Sequence, residues 1–204
     1  MDRVLFQKLK LFPTNSRPYG LTYEQWTAKW WTWLLKVPKN KSPVCDESGE
    51  NAYSDQDDPN VFFLCQTFNQ STSNPSRRVV VQRGKSLFLP LINWISIAPE
   101  DGITDDDLIL KARSKMNSIG DLRIIVNGNQ ILKDFSEYRV QTSPFYVNLP
   151  KHNILGLNCG TKKLASDGFW ILTESIVRSL CLKTFGSCSA GLTKIGVDYE
   201  ITVT

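Results

Sequence analysis

Residues 21–38 read LTYEQWTAKWWTWLLKVP and predict an amphipathic helix that is apolar over most of its surface. Thr22 can cap the first turn while Gln25 reaches back to it, which makes a capping box, and Leu21 can contact Trp26 across the cap. Pro38 cannot continue a helix, so we expect the helix to cover residues 22–37. The polar side chains form only a narrow wedge: Gln25, Lys29, Thr32 and Lys36. The rest of the protein must therefore cover this helix on more than one side.

Most of the chain after residue 60 carries strand signals separated by polar turns. The expected strands are 61–68, 78–82, 86–97, 122–126, 130–132, 138–140, 145–148, 169–174, 179–185 and 194–203. Pro90 predicts a bend, an edge position or a bulge in its strand, and Asn127-Gly128 predicts a hairpin turn. Thr104 and the acids after it predict a second helix near 105–117.

Short strands without regular βαβ alternation are typical of an antiparallel β-sandwich or jelly roll. We expect one domain over residues 1–204, with an N-terminal arm at 1–20 and both helices packed on the sheets. Four of the six tryptophans lie on the first helix, where core packing is the leading interpretation. The alternatives are a partner or self-association interface, shallow membrane insertion and a sugar-stacking platform.

The charge pattern argues against nucleic acid as a partner. The net charge is +4, and the densest basic groups are not interleaved with aromatic residues: Lys36/Lys39/Lys41 and Lys162/Lys163. No apolar run is long enough for a membrane span or a secretory signal. The chain as given predicts a soluble, cytoplasmic protein, or an exported one if a leader has been removed.

The five cysteines contain no CxxC pair, and His152 is the single histidine. A zinc site needs close ligand pairs, so free thiols are expected. A disulfide between Cys181 and Cys188 is an alternative for an exported protein, because a short hairpin could bring the two residues together.

Two acidic loops are candidates for metal binding or acid chemistry. Asp55, Asp57 and Asp58 could supply oxygen ligands to Ca²⁺, although the segment lacks the EF-hand glycine and carries Pro59. No other cofactor is predicted. Carboxylates of loops 46–58 and 100–107, with Asp101 and Asp105 among them, could serve a hydrolase. No GxSxG elbow accompanies His152, which lies in a polar loop.

Asn93, Asp167 and Trp170 are the predicted ligand-binding residues, because polar groups within apolar strands need a reason to be there. A buried hydrogen bond or a turn is the alternative explanation for these residues.

Several segments together resemble a family of uncharacterised prokaryotic β-rich proteins with a Trp-rich N-terminal helix. The segments are 23–33 (YEQWTAKWWTW), 61–64 (VFFL), 84–93 (GKSLFLPLIN), 143–145 (SPF), 166–170 (SDGFW) and 197–203 (VDYEITV). The resemblance implies no activity and no catalytic residue, and many members of that family look exported.

The leading functional hypothesis is a non-enzymatic β-sandwich that binds a small molecule, a glycan or a protein. It depends on the abundant strand signals and on the lack of a catalytic constellation. A carbohydrate or ester hydrolase that uses the loop carboxylates is the second hypothesis. A structural protein that self-assembles into a homo-oligomer is the third.

Overall fold

The computed structural model describes residues 9–67, 74–188 and 193–204. The helices are α1 (Tyr23–Lys36) and α2 (Asp105–Met116). The strands are β1 (Val61–Phe63), β2 (Ser76–Val81), β3 (Ser86–Ile97), β4 (Ile119–Val126), β5 (Asn129–Gln130), β6 (Arg139–Gln141), β7 (Phe145–Leu149), β8 (Gly160–Leu172), β9 (Leu180–Cys188) and β10 (Thr193–Val203). Short 3₁₀ turns occupy Pro18–Gly20, Lys39–Lys41, Pro43–Cys45, Glu50–Tyr53 and Ser136–Tyr138.

The strands form two mixed sheets. The first sheet has the order β1-β3-β8-β6, with β7 also paired to β8, and the second has the order β2-β10-β9-β4-β5. The predicted mostly β class with two helices is confirmed. The prediction of purely antiparallel sheets is wrong for two pairs, because β1–β3 and β2–β10 are parallel. Residues 83–85 join strands of different sheets, so they form a corner and not a hairpin.

The first sheet is buried on both faces. Along β3, Leu87, Leu89 and Leu91 belong to a core shared with the second sheet, whereas Phe88 belongs to a core shared with α1. Strand β8 divides in the same way, with Ile171 on the side of the second sheet and Trp170 on the side of α1. Covering on both faces explains why β3 reads as a continuous apolar run.

Helix α1 begins with the predicted capping box. The Gln25 amide donates to Thr22 Oγ1 at 3.2 Å, and the Thr22 amide donates to Gln25 Oε1 at 2.9 Å. All four indoles of the helix are buried, which confirms the core interpretation. Their N–H groups donate to Pro18 O (Trp26, 3.1 Å), Leu64 O (Trp30, 2.9 Å), Ser166 Oγ (Trp31, 2.7 Å) and Ser54 O (Trp33, 2.8 Å). Each indole therefore buries a large ring without leaving its polar atom unpaired.

Three other local predictions are confirmed. Thr104 and Asp107 form a second capping box at the start of α2, and α2 lies over β3 and β8. The ladder between β3 and β8 slips between Pro90 and Ile92, which is the irregularity that the proline predicts. Asn127 and Gly128, with φ values of 50° and 81°, form the turn between β4 and β5.

Some strand boundaries differ from the predicted ones. Strand β1 ends at Phe63, not at 68, and residue 68 lies outside the described ranges. Strand β8 begins at Gly160, well before the predicted start at 169. Its polar first half hides it, because Lys162, Lys163 and Asp167 interrupt the apolar pattern that marks a strand.

Cys181 and Cys188 both lie on β9, so the alternative of a disulfide between them is not realised. Seven residues of extended chain span roughly 23 Å, whereas a disulfide requires Cα atoms within about 7 Å. All five cysteines are free. In the described ranges, neither helix is long and apolar enough to cross a membrane.

Candidate functional site

Asp167 is buried in β8, on the face of the first sheet that α2 covers, and it holds Arg139 of the neighbouring strand β6. Only 1% of the Asp167 side chain is exposed. Arg139 donates from Nε to Asp167 Oδ1 at 3.0 Å and from Nη2 to Oδ2 at 2.8 Å. Two parallel bonds of this kind fix the plane of the guanidinium as well as its position.

The same guanidinium ties β6 to the C-terminal end of α2. Arg139 Nη2 also donates to the Arg113 carbonyl oxygen at 3.1 Å and to Asn117 Oδ1 at 2.9 Å. The last carbonyls of a helix lack partners within the helix and carry partial negative charge, so a cation stabilises this end. Arg139 is thus fixed on one edge by a buried carboxylate and at Nη2 by a helix terminus.

Arg139 also lines a cleft of about 450 Å³, which we call the α2 cleft. It lies between the end of α2, the start of β4, the segment 133–136 and strands β6 and β8. Its apolar lining is Met116, Ile119, Leu122, Phe135 and Phe169. The remaining lining residues are Asn117, Gly120, Asp121, Lys133, Ser136 and Arg139. The volume lies within the roughly 300–1,000 Å³ of small-molecule sites. The surface that the cleft exposes is more polar than apolar, because Met116, Phe135 and Phe169 are largely buried.

An irregularity at the start of β4 shapes one wall of the cleft. The ladder between β4 and β9 slips between Ile119 and Leu122, and bulges of this kind redirect side chains. The Asp121 amide donates to Ser187 Oγ at 2.8 Å. A Cβ on Gly120 would lie 2.9 Å from the same oxygen, so a residue without a side chain suits this position.

The opposite wall is a short turn. The Ser136 amide donates to Asp134 Oδ1 at 2.9 Å, and this hydrogen bond lowers the pKa of the Asp134 carboxyl. The turn buries Phe135 and leaves Lys133 exposed at the rim of the cleft.

None of the predicted ligand-binding residues, Asn93, Asp167 and Trp170, lines the α2 cleft, and only Asp167 pairs with a residue that does, Arg139. In the ladder of β3 and β8, Asp167 lies opposite Trp94, whereas Asn93 lies opposite Gly168 and points to the other face. A Cβ on Gly168 would lie 2.6 Å from the Cβ of Asn93, so only glycine fits there. Trp170 is fully buried beneath α1 and stacks on Phe88 with ring centroids 5.3 Å apart. Within the described ranges, neither Trp170 Nε1 nor Asn93 Nδ2 has a hydrogen-bond partner.

Asp55, Asp57 and Asp58 are not assembled as a ligand set. Asp58 is buried and accepts hydrogen bonds from Lys29 Nζ at 2.5 Å and from the amides of Asn60 and Val61. Burial opposes ionisation of the Asp58 carboxyl, but these bonds outweigh it and lower its pKa. Asp55 and Asp57 are exposed. Across residues 9–67, 74–188 and 193–204, no group of three or more His, Cys, Asp or Glu side chains could hold a metal ion.

The acids near the start of α2 have separate structural contacts. Asp101 Oδ2 accepts from the Ile97 amide at 3.1 Å, and Asp105 pairs with Lys163 at 2.8 Å. His152 is exposed, and its carbonyl accepts from the Lys39 amide. None of these residues lines the α2 cleft.

A second polar cluster surrounds Arg77, which is only 1% exposed. Its Nε donates to the Asp46 carbonyl at 2.7 Å, and its Nη1 donates to the Cys65 carbonyl at 2.8 Å and to Tyr199 Oη at 3.0 Å. Burial raises the pKa of Tyr199 to about 12 and also raises the pKa of the Cys65 thiol. Arg77 joins the loop before β1 to the second sheet and does not line the α2 cleft.

The sequence prediction missed Lys133, Phe135, Arg139 and Phe169 as site residues. One signal was available for Arg139, which stands between two apolar residues in a predicted strand. The cleft itself is assembled from segments far apart in the chain, and no local pattern marks it. No protein-family model, no curated protein sequence and no solved structure matches this chain.

Proposed function

We propose that this protein is a non-enzymatic binding protein and that a small, partly apolar molecule occupies the α2 cleft. The observation that carries the proposal is a cleft that combines five apolar side chains with a hydrogen-bonding arginine fixed by a buried carboxylate. Asp167 and the end of α2 fix Arg139 before any ligand arrives. A group held in its bound position loses little entropy on binding, which favours affinity.

The composition of the lining supports binding over catalysis. The cleft residues include no histidine and no cysteine, and Asp121 is paired with Arg123. Ser136 lines the cleft, but nucleophilic catalysis by serine needs an adjacent base such as histidine. The single histidine of the chain, His152, is not among the lining residues.

Titration with N-phenyl-1-naphthylamine, a neutral dye that fluoresces in apolar sites, tests the proposal. We expect saturable binding of one dye per chain. Leu122→Trp, which places bulk in the cleft, should abolish this binding. Val80→Trp adds the same bulk at an exposed position of β2 and should leave it unchanged.

Urea unfolding and near-UV circular dichroism of both variants provide the folding control. Absence of dye binding to the unmodified protein, or equal binding to both variants when both are folded, would refute the α2 cleft as the site.

A further inference from the structure

We infer that the α2 cleft selects an amphiphilic organic acid, with Arg139 and Lys133 receiving its carboxylate, sulfonate or phosphate group. The inference rests on the proposed function and names the class of ligand for the same site. Three features of the cleft support it: the free edge of Arg139, the balance of charge and the polarity of the remaining hydrogen-bonding groups.

The free edge of Arg139 is suited to an anion. Nε and Nη2 are occupied by Asp167, Asn117 and the end of α2, whereas Nη1 makes no hydrogen bond to any described residue. The side chain is 31% exposed and lines the cleft. A guanidinium carries its positive charge on all three nitrogens, so Nη1 offers charge-assisted donors to a ligand.

Among the residues that line the cleft, the charge that remains after pairing is positive. Asp167 balances Arg139, and Arg123 balances Asp121. Lys133 has no ion-pair partner among the residues that the structure describes, and it is exposed at the rim. An anionic group bound between Lys133 and Arg139 Nη1 would therefore meet one uncompensated cation and one free donor edge.

The other polar groups add donors. Asn117 lines the cleft and accepts from Arg139 through Oδ1, which leaves its Nδ2 amide without a hydrogen bond to any described residue. Donors from Asn117, Lys133 and Arg139 favour a ligand group that only accepts, as an ionised acid does. The apolar side chains of the lining then suit the hydrocarbon or aromatic body of the same molecule.

Asp167 acts as a positioning residue in this arrangement, because it touches Arg139 and is itself buried. The direction of its effect is distinctive. Replacing Asp167 by Asn would raise the net positive charge near the cleft, so a purely electrostatic role predicts tighter binding of an acid. A positioning role predicts weaker binding, since the bidentate bond that fixes Arg139 would be lost.

A matched pair of dyes tests the inference. N-phenyl-1-naphthylamine and 8-anilinonaphthalene-1-sulfonate share the same apolar body and differ by one sulfonate group. We expect the sulfonate to bind the unmodified protein about tenfold more tightly than the neutral dye, because a charge-assisted hydrogen bond contributes about this factor.

Lys133→Gln should remove most of that preference, so that the two dyes bind the variant with nearly equal affinities. Arg139→Lys, which keeps the charge but loses the planar fork, should also reduce it. Lys151→Gln, at an exposed position outside the cleft, is the matched control. Asp167→Asn should weaken binding of the sulfonate, and tighter binding would overturn the positioning role.

The outcomes separate the two proposals. Equal affinities for both dyes, or a preference that Lys133→Gln and Arg139→Lys leave intact, would overturn the selectivity for acids while ligand binding in the cleft stands. Failure of the neutral dye to bind would overturn the proposed function itself. Lys133 is exposed, so its replacement tests selectivity without disturbing the core.

Discussion

Trp31→Phe and Trp170→Phe form a pair of substitutions whose costs should differ sharply. Both indoles are buried in the core beneath α1. Trp31 donates from Nε1 to Ser166 Oγ at 2.7 Å, whereas the buried Nε1 of Trp170 has no partner among the described residues. The two changes remove the same atoms, but only one of them breaks a hydrogen bond.

The expected free energies follow from these contacts. Replacing a buried Trp by Phe costs about 1–2 kcal/mol in lost burial and residual cavity. Trp31→Phe also leaves the fully buried hydroxyl of Ser166 without its partner, which adds about 1–3 kcal/mol. Trp170→Phe instead removes an unpaired N–H and regains about 1–3 kcal/mol. The free energy of unfolding should therefore fall by about 2–5 kcal/mol for Trp31→Phe. For Trp170→Phe it should fall by at most about 1 kcal/mol.

Equilibrium unfolding in urea, followed by far-UV circular dichroism, measures both values. The two values are comparable when the free energy of unfolding depends on urea concentration with the same slope in both variants. Ser166→Ala in the Trp31→Phe background should recover part of the loss, because it removes the unpaired hydroxyl. A cost for Trp170→Phe that equals or exceeds the cost for Trp31→Phe would refute the assignment of an unpaired indole at Trp170.

Two further predictions concern pH. Because hydrogen bonds from Lys29 and two amides lower the pKa of Asp58, its contribution to stability is present at neutral pH and is lost as pH falls below about 4. Asp58→Asn should lower the free energy of unfolding at pH 7 by about 2 kcal/mol. Urea unfolding at pH 7 and pH 3 should also show a smaller loss of stability between these pH values than in the unmodified protein. An equal loss in both proteins would contradict this prediction. Because burial raises the pKa of Tyr199 to about 12 from 10.0, the folded state keeps a proton that the unfolded state loses between these values. Stability should therefore fall as pH rises from 10 to 12, by up to about 1.4 kcal/mol per pH unit for this group, and Tyr199→Phe should reduce the slope.

The elements that the sequence predicts well are those whose signals are local. Thr22 with Gln25 forms the predicted capping box, and Thr104 caps α2 as predicted, with Asp107 completing a second box. A cap brings together donor and acceptor from one turn, so its formation depends little on the rest of the fold.

The pairing of strands is not a local property, which explains the wrong prediction for two of them. β2 lies parallel to β10, so that Arg77 faces a tyrosine more than a hundred residues later in the chain. Nothing in residues 76–81 states the direction or the identity of the neighbouring strand. Period-two alternation does place Arg77 on the face of Val79 and Val81, which is the signal that could have predicted its burial.

The same alternation bears on the predicted ligand-binding residues. Asp167 and Trp170 are three positions apart in one strand, and an odd separation places side chains on opposite faces of a sheet. With β8 extended back to Gly160, one pocket on one face of the sheet cannot contain both side chains, and the predicted start at residue 169 concealed this. The sequence could not indicate that Arg139 would neutralise Asp167, because that contact needs β6 beside β8 and α2 above them both. A charge buried in an apolar strand requires a partner, and here the partner is Arg139, which also lines the α2 cleft.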